Sequence, residues 1–217
     1  MHLILASNSP RRRQLLALAG WDFTPVSVEV NEDPLPGEKP ADYVLRLAVS
    51  KAHAAAAQAD PEAFIIGSDT TVVLDEAILG KPMDAAEAER ILRGLRGRVH
   101  QVYTALAILR RADGLLLTDC CITHVLMRDY TDSEMLAYIR SGDPLDKAGA
   151  YAIQHTGFHP VEKIEGCFAN VMGLPLCHLA RLLGRLGITP RENLPLSCQS
   201  ALEYECSISP PALQKVN

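Results

Sequence analysis

Val99-His100-Gln101-Val102-Tyr103-Thr104-Ala105-Leu106-Ala107-Ile108-Leu109 and Leu115-Leu116-Leu117-Thr118-Asp119-Cys120-Cys121-Ile122-Thr123-His124-Val125-Leu126-Met127 read as two long strands joined through Ala112-Asp113-Gly114. So short a connection makes them an antiparallel hairpin. Elsewhere strand and helix patterns alternate, so the hairpin rules out a wholly parallel sheet. The expected fold is α/β, with a mixed central sheet flanked by helices.

Upstream of the hairpin, Phe64-Ile65-Ile66-Gly67 is a core strand that meets the polar run Ser68-Asp69-Thr70-Thr71 and resumes as Val72-Val73-Leu74. The polar run stands where apolar residues are expected. Residues 41–57 read as a long helix, with Val44, Leu47, Ala48 and Lys51 on one face. A lysine on a buried stripe either carries its stem to an edge or points its ammonium into a cleft. Residues 23–30 read as a strand. Asp84 with Glu87, and Thr131 with Glu134, are capping signatures for helices running to about Arg96 and to Ser141-Gly142. The 144–154 loop leads into a further strand, and the last helix is expected over 174–186. From Thr189 on, periodicity disappears and proline, serine and cysteine increase, so residues 1–188 form the expected domain and 189–217 an extension outside the main fold, dispensable for chemistry.

At the N-terminus, strand 3–6 runs straight into a helix over 10–19, with Ser9 as N-cap and Pro10 as first helical residue. Arg11, Arg12 and Arg13 follow on the first turn. Cations there oppose the helix dipole unless an anion is held nearby, so the helix start reads as an anion site. Successive helical residues point about 100° apart, so the three cannot face one ligand. They therefore divide between the anion site and other surroundings, with Arg13 expected in solvent.

The chain has 217 residues and a formal charge of −5, which argues against general binding to a nucleic-acid polymer. No apolar run is long enough for a membrane span, and the opening lacks a leader pattern; a cytoplasmic setting is expected. The cysteines at 120, 121, 167, 177, 198 and 206 have no zinc-ligand spacing and read as reduced, structural thiols. None of the seven histidines stands at ligand spacing.

Asp69, Lys51, Lys81 in Gly80-Lys81-Pro82, and Glu32 in the Glu29/Glu32/Asp33 cluster all stand where patterning predicts apolar or neutral residues. Basic groups beside carboxylates are what a triphosphate with a divalent cation requires. The cations neutralise phosphate oxygens, while the carboxylates hold Mg²⁺ or Mn²⁺ and orient water. Ser7-Asn8-Ser9-Pro10-Arg11-Arg12, Glu32, Leu47-Ala48, Lys51-Ala52, Gly67-Ser68-Asp69-Thr70, Gly80-Lys81-Pro82, Asp146-Lys147-Ala148-Gly149-Ala150-Tyr151, Ile153-Gln154 and Val171-Met172-Gly173-Leu174-Pro175 together resemble the Maf family of nucleoside triphosphate pyrophosphatases.

The resemblance covers residues 2–188. It implies an inosine-triphosphatase-like fold of two lobes around a cleft, a homodimer, and hydrolysis of a nucleoside triphosphate to its monophosphate and diphosphate. It also implies Asp69 as proton acceptor, Glu32 and Asp69 as metal carboxylates, and Lys51 and Lys81 as catalytic cations. Ser9, Arg12 and Lys147 would bind substrate. Arg11, Thr70 and Gln154 match the dTTP/UTP-hydrolysing subgroup; the 7-methyl-GTP subgroup carries an aromatic, Gln and Glu there. A neutral amide at 154 can both donate to and accept from a thymine or uracil edge. Ala152 and His155 depart from the glycines common in the family. The alternatives are a 7-methyl-GTP pyrophosphatase and a non-catalytic nucleotide-binding regulator of septum formation.

Overall fold

A computed structural model describes residues 2–206. Its seven-stranded sheet comprises β1 (Leu3–Ala6), β2 (Phe23–Val26), β3 (Phe64–Leu74), β4 (Ala77–Leu79), β5 (Val99–Arg110), β6 (Leu115–Met127) and β7 (Val161–Glu165). The order is β2-β1-β3-β5-β6-β7, with β4 on β3. β1 pairs parallel to β2 and β3, while β3, β5, β6 and β7 run antiparallel. The sheet is therefore mixed, as the hairpin required.

Strand alternation distributes the core to both faces. Leu3, Leu5, Phe64, Ile66, Leu106 and Ile108 enter one cluster with helices α1 (Pro10–Ala17), α6 (Leu176–Gly184) and α7 (Leu194–Leu202). Ile4, Ala6, Ile65, Ala105 and Ala107 face α2 (Pro40–Ala56). The contact with α2 is close: a Cβ on Gly67 would stand 2.1 Å from the Ala48 carbonyl oxygen, so only glycine fits beneath that helix. Val72, Val102, Val125 and Met127 form a third cluster with α3 (Ala85–Leu95) and α4 (Asp132–Arg140). These clusters make two lobes on one sheet, and the middle of β3 passes between them.

β3 is continuous, which corrects the expected interruption at Ser68–Thr71. On one edge β1 covers Phe64–Gly67 and β4 covers Val72–Leu74. Among the described residues, Ser68–Thr71 have no strand on that edge, although β5 pairs them on the other. The polar run marks a gap in the sheet's edge.

Other differences have local causes. β2 ends at Val26 rather than Val30 because β1 offers four partners, Leu3 to Ala6. The helix expected over 174–186 is α6, and a short helix that the sequence did not announce, α5 (Phe168–Val171), precedes it. Gly173 takes φ +104°, and Pro175 holds Leu174 out of helical geometry. β4 had no sequence signal. Residues 189–202 are not free of structure: Trp21 Nε1 donates to the Thr189 carbonyl at 2.9 Å, Arg191 N donates to Ala19 O, and Leu194 is buried in the first cluster. Residues 207–217 of the expected extension lie outside the described residues. All six cysteines are free thiols.

Candidate active site

A cavity of about 680 Å³ opens at the gap in the edge of β3. Ser9, Arg11, Arg12, Glu32, Lys51, Asp69, Thr70, Lys81, Lys147 and Gln154 all line it. Asp69 and Thr70 point to opposite faces of β3, and both reach the cavity because no strand walls off that edge.

On the α2 side, Lys51 is buried on the stripe that its spacing predicts. Its Nζ donates to Asp69 Oδ1 at 2.6 Å and meets Glu32 Oε1 at 2.7 Å. Tyr43 Oη, one helical turn from Leu47, donates to the Glu32 carbonyl at 2.8 Å and steadies the loop that carries this carboxylate. Burial raises the proton affinity of Asp69, against the opposing charges of Lys51 and Arg12. Burial pushes Glu32 the same way, but the Lys51 hydrogen bond, with the Lys51, Lys81 and Arg12 charges, holds it below its ordinary value. Two carboxylates on one lysine are thus pushed apart: the inner has the higher proton affinity and the outer stays ionised.

On the opposite face, Ser9 caps α1, its hydroxyl accepting from Arg12 N. The Arg12 guanidinium is seated by three groups. Nε donates to the Gly173 carbonyl at 2.8 Å, Nη2 to Thr70 Oγ1 at 3.0 Å and Nη1 to Ser7 Oγ at 3.4 Å. Ser68 Oγ joins at the same Gly173 carbonyl, 3.1 Å away. Gly173 is the hinge of this seat: a Cβ there would come within 3.2 Å of both Arg12 Nε and Thr70 Oγ1. Burial lowers the Arg12 proton affinity and the Asp69 charge opposes that. Arg11 lines the cavity beside it, and Arg13 is exposed, as helical spacing required.

Lys147 reaches the cavity wall with its hydrogens already committed. Nζ contacts the Asp143 carbonyl at 2.6 Å, Asp143 Oδ1 at 3.0 Å and Asp146 Oδ1 at 2.6 Å, three acceptors for three N–H groups. Lys81 and Gln154 are exposed on the rim. Sequence reasoning missed Ser7, Tyr43, Ser68, Thr104, Asn170 and Gly173 as site-supporting residues. Ser7, Ser68 and Gly173 lay within family-like motifs without being given a role, whereas a buried threonine on a strand carries no signal of its own.

The residues offer cations for a polyphosphate, a helix N-terminus, and two carboxylates whose proton affinities differ. A family profile described as "Maf-like protein" matches residues 2–186. The chain is similar to a protein named dTTP/UTP pyrophosphatase from Citrifermentans bemidjiense, at 48% identity over 85% of this chain and 97% of that one. It is similar to another of the same name from Geobacter sp. strain M21, at 47% identity over the same shares. Among solved structures, one titled nucleoside-triphosphatase / dITP/XTP pyrophosphatase from Mycobacterium abscessus aligns with TM-score 0.45 at 17% identity, covering 86% of this chain and 94% of that chain. With its sequence matched over residues 2–186 and relatives of this identity along nearly their whole length, the chain belongs to the Maf family.

Proposed function

We propose that this protein hydrolyses dTTP and UTP to the nucleoside monophosphate and diphosphate. The observation that carries the reading is the pairing of Asp69 and Glu32 on Lys51, facing an arginine-bearing helix start across one cavity. Arg12 and the α1 N-terminus bind the phosphate tail, joined by Lys51 and Lys81. A water directed at the α-phosphorus loses its proton to Asp69, whose raised proton affinity makes it the better base of the two carboxylates. The leaving diphosphate is stabilised by fixed positive charge rather than by an unusual nucleophile. Arg11, Thr70 and Gln154 set base preference. By family resemblance the chain acts as a cytoplasmic homodimer, with residues 1–188 carrying the chemistry.

A divalent cation fits this donor set. Asp69 Oδ1 and Glu32 Oε1 converge on the point held by Lys51 Nζ, and both are hard oxygen donors. Among the described residues no group of three His, Cys, Asp or Glu side chains could hold a metal alone. Mg²⁺ is commonly bound by one or two carboxylates, with water and substrate phosphates completing its shell, so Glu32 and Asp69 would hold Mg²⁺ or Mn²⁺ together with the nucleotide. There it would supply charge neutralisation on the phosphates.

Diphosphate release from dTTP, UTP, CTP, 5-methyl-UTP and 7-methyl-GTP, with Mg²⁺ or Mn²⁺, tests the proposal. Preference for dTTP and UTP is expected. Preference for 7-methyl-GTP would transfer the chain to the alternative subgroup, and binding without turnover would make it a nucleotide-binding regulator.

A further inference from the structure

The Thr70 hydroxyl lies in a chain of hydrogen bonds whose direction is fixed by its two ends. A guanidinium can only donate, so the 3.0 Å contact runs from Arg12 Nη2 to Thr70 Oγ1. A carbonyl can only accept, so Thr104 Oγ1 gives its single proton to Asn170 O at 2.9 Å. Thr104 then has only lone pairs left for its cross-strand neighbour. The 2.9 Å contact between the two hydroxyls must therefore be donated by Thr70. The order is Arg12 to Thr70 to Thr104 to Asn170 O, and Thr70 has no proton left for a bound molecule.

The far end of this chain is held firmly. Thr104 and Asn170 are both 0% exposed. Asn170 Nδ2 donates to Val102 O and Thr123 Oγ1, each at 2.9 Å, and Thr123 Oγ1 in turn accepts from Cys167 N. The Asn170 carbonyl also accepts from Gly173 N, closing the turn that presents the Gly173 carbonyl to Arg12 Nε. Asn170 Oδ1 is left buried without a partner, an unfavourable arrangement. The amide is oriented to fix the backbone turn, and the turn fixes the arginine by two routes, directly through Gly173 O and indirectly through the two threonines.

We propose that Thr104, acting with the Asn170 carbonyl, is a positioning residue for nucleotide recognition: it draws the Thr70 proton inward, seats Arg12 Nη2, and leaves Thr70 presenting only a lone pair to the cavity. The group that Thr70 meets on a substrate is therefore a donor, such as an imide N–H or a sugar hydroxyl, and not a carbonyl. This rests on the reading of Arg12 as a phosphate ligand in a dTTP/UTP-hydrolysing site.

The test compares T104V, which keeps the side-chain shape and deletes the hydroxyl, with T104S, which keeps the hydroxyl and deletes the methyl. T104V is expected to raise KM for UTP about tenfold with kcat little changed, as for loss of one hydrogen bond that seats a ligand. T104S is expected to stay near the parent in both constants. A packing role predicts the reverse order, with T104S the poorer, and that result overturns the proposal, as does a folded T104V with parental KM. If T104V does not accumulate as folded protein, T104C carries the same comparison, because a thiol keeps the volume but donates weakly; parental KM in T104C overturns the proposal. R12A separates the two levels. If the parent does not hydrolyse UTP, or R12A leaves KM unmoved, the underlying reading fails and takes this one with it. If both controls behave and T104V does not, only the positioning role fails.

Discussion

Lys51 Nζ stands 2.6 Å from Asp69 Oδ1, joining the middle of α2 to the middle of β3 inside the cleft. Burial raises the proton affinity of Asp69 and the Lys51 charge lowers it. Replacing Lys51 by Met removes the lowering influence, so the Asp69 pKa rises further. The acid limb of the kcat/KM profile for UTP should move to higher pH in K51M. An acid limb that stays in place would remove Asp69 as the titrating base.

D69N should lose about a thousandfold in kcat, the scale of removing a positioned general base, while still binding nucleotide. Its fold should hold at neutral pH. A carboxyl whose folded pKa is raised favours the folded state below its unfolded pKa and loses that contribution as pH rises through the folded value, so ionised Asp69 opposes stability near neutrality. The amide oxygen can still accept from Lys51. Melting of D69N at or above the parental temperature, together with dead turnover, is the expected pair of results.

Glu38 behaves in the opposite sense. The Arg46 hydrogen bond lowers its pKa to about 2, against burial. A depressed carboxyl stabilises the fold above its unfolded pKa and loses that contribution as pH falls through the folded value. Melting temperature should therefore fall between about pH 4.5 and pH 2, and E38Q should flatten that part of the curve, measured by circular dichroism.

Lys147 is tied to Asp143 and Asp146, so its ammonium must be released before it can reach a phosphate. D146N weakens one of the ties without removing the acceptor. KM for UTP should fall by roughly twofold to fivefold at low salt, the range of a partly exposed charge pair. An unchanged KM would assign Lys147 to holding its loop alone.

Trp21 is the sole tryptophan and donates to the Thr189 carbonyl. Deleting residues 189–217 should shift its fluorescence to the red and lower the melting temperature by several degrees, about the effect of exposing the apolar residues of the first cluster that Leu194 covers. UTP turnover should persist. Loss of turnover in a still-folded truncation would bring the extension into the catalytic unit.

The legible parts of this chain were those encoded locally. Ser9 and Pro10 start α1 as read, and Thr131 with Glu134 forms the full capping box of α4. Lys51 was found because a lysine broke an apolar stripe, and Asp69 because a carboxylate broke an apolar strand. The gap beside Ser68–Thr71 was not legible, since it depends on where β1 stops and on β4, three residues without a pattern. Nor was the Thr104–Asn170 link. Its residues are ordinary for a strand and a helical turn, and only pairing across the sheet brings them together. Helix α5 was not legible either, because its four residues are too few to show a helical period, whereas α6 carries its apolar stripe in the sequence.

The seat of Arg12 also has a temporal consequence. Its Nε hydrogen bond to the Gly173 carbonyl spans 161 residues, so the arginine that opens the chain waits for nearly the whole domain to be synthesised before its partner exists. A polypeptide still short of Gly173, on the ribosome or cut by a protease, carries the first turn of α1 without that carbonyl. On the proposed reading of Arg12 as a phosphate ligand, a fragment lacking the C-terminal turn carries that ligand unseated.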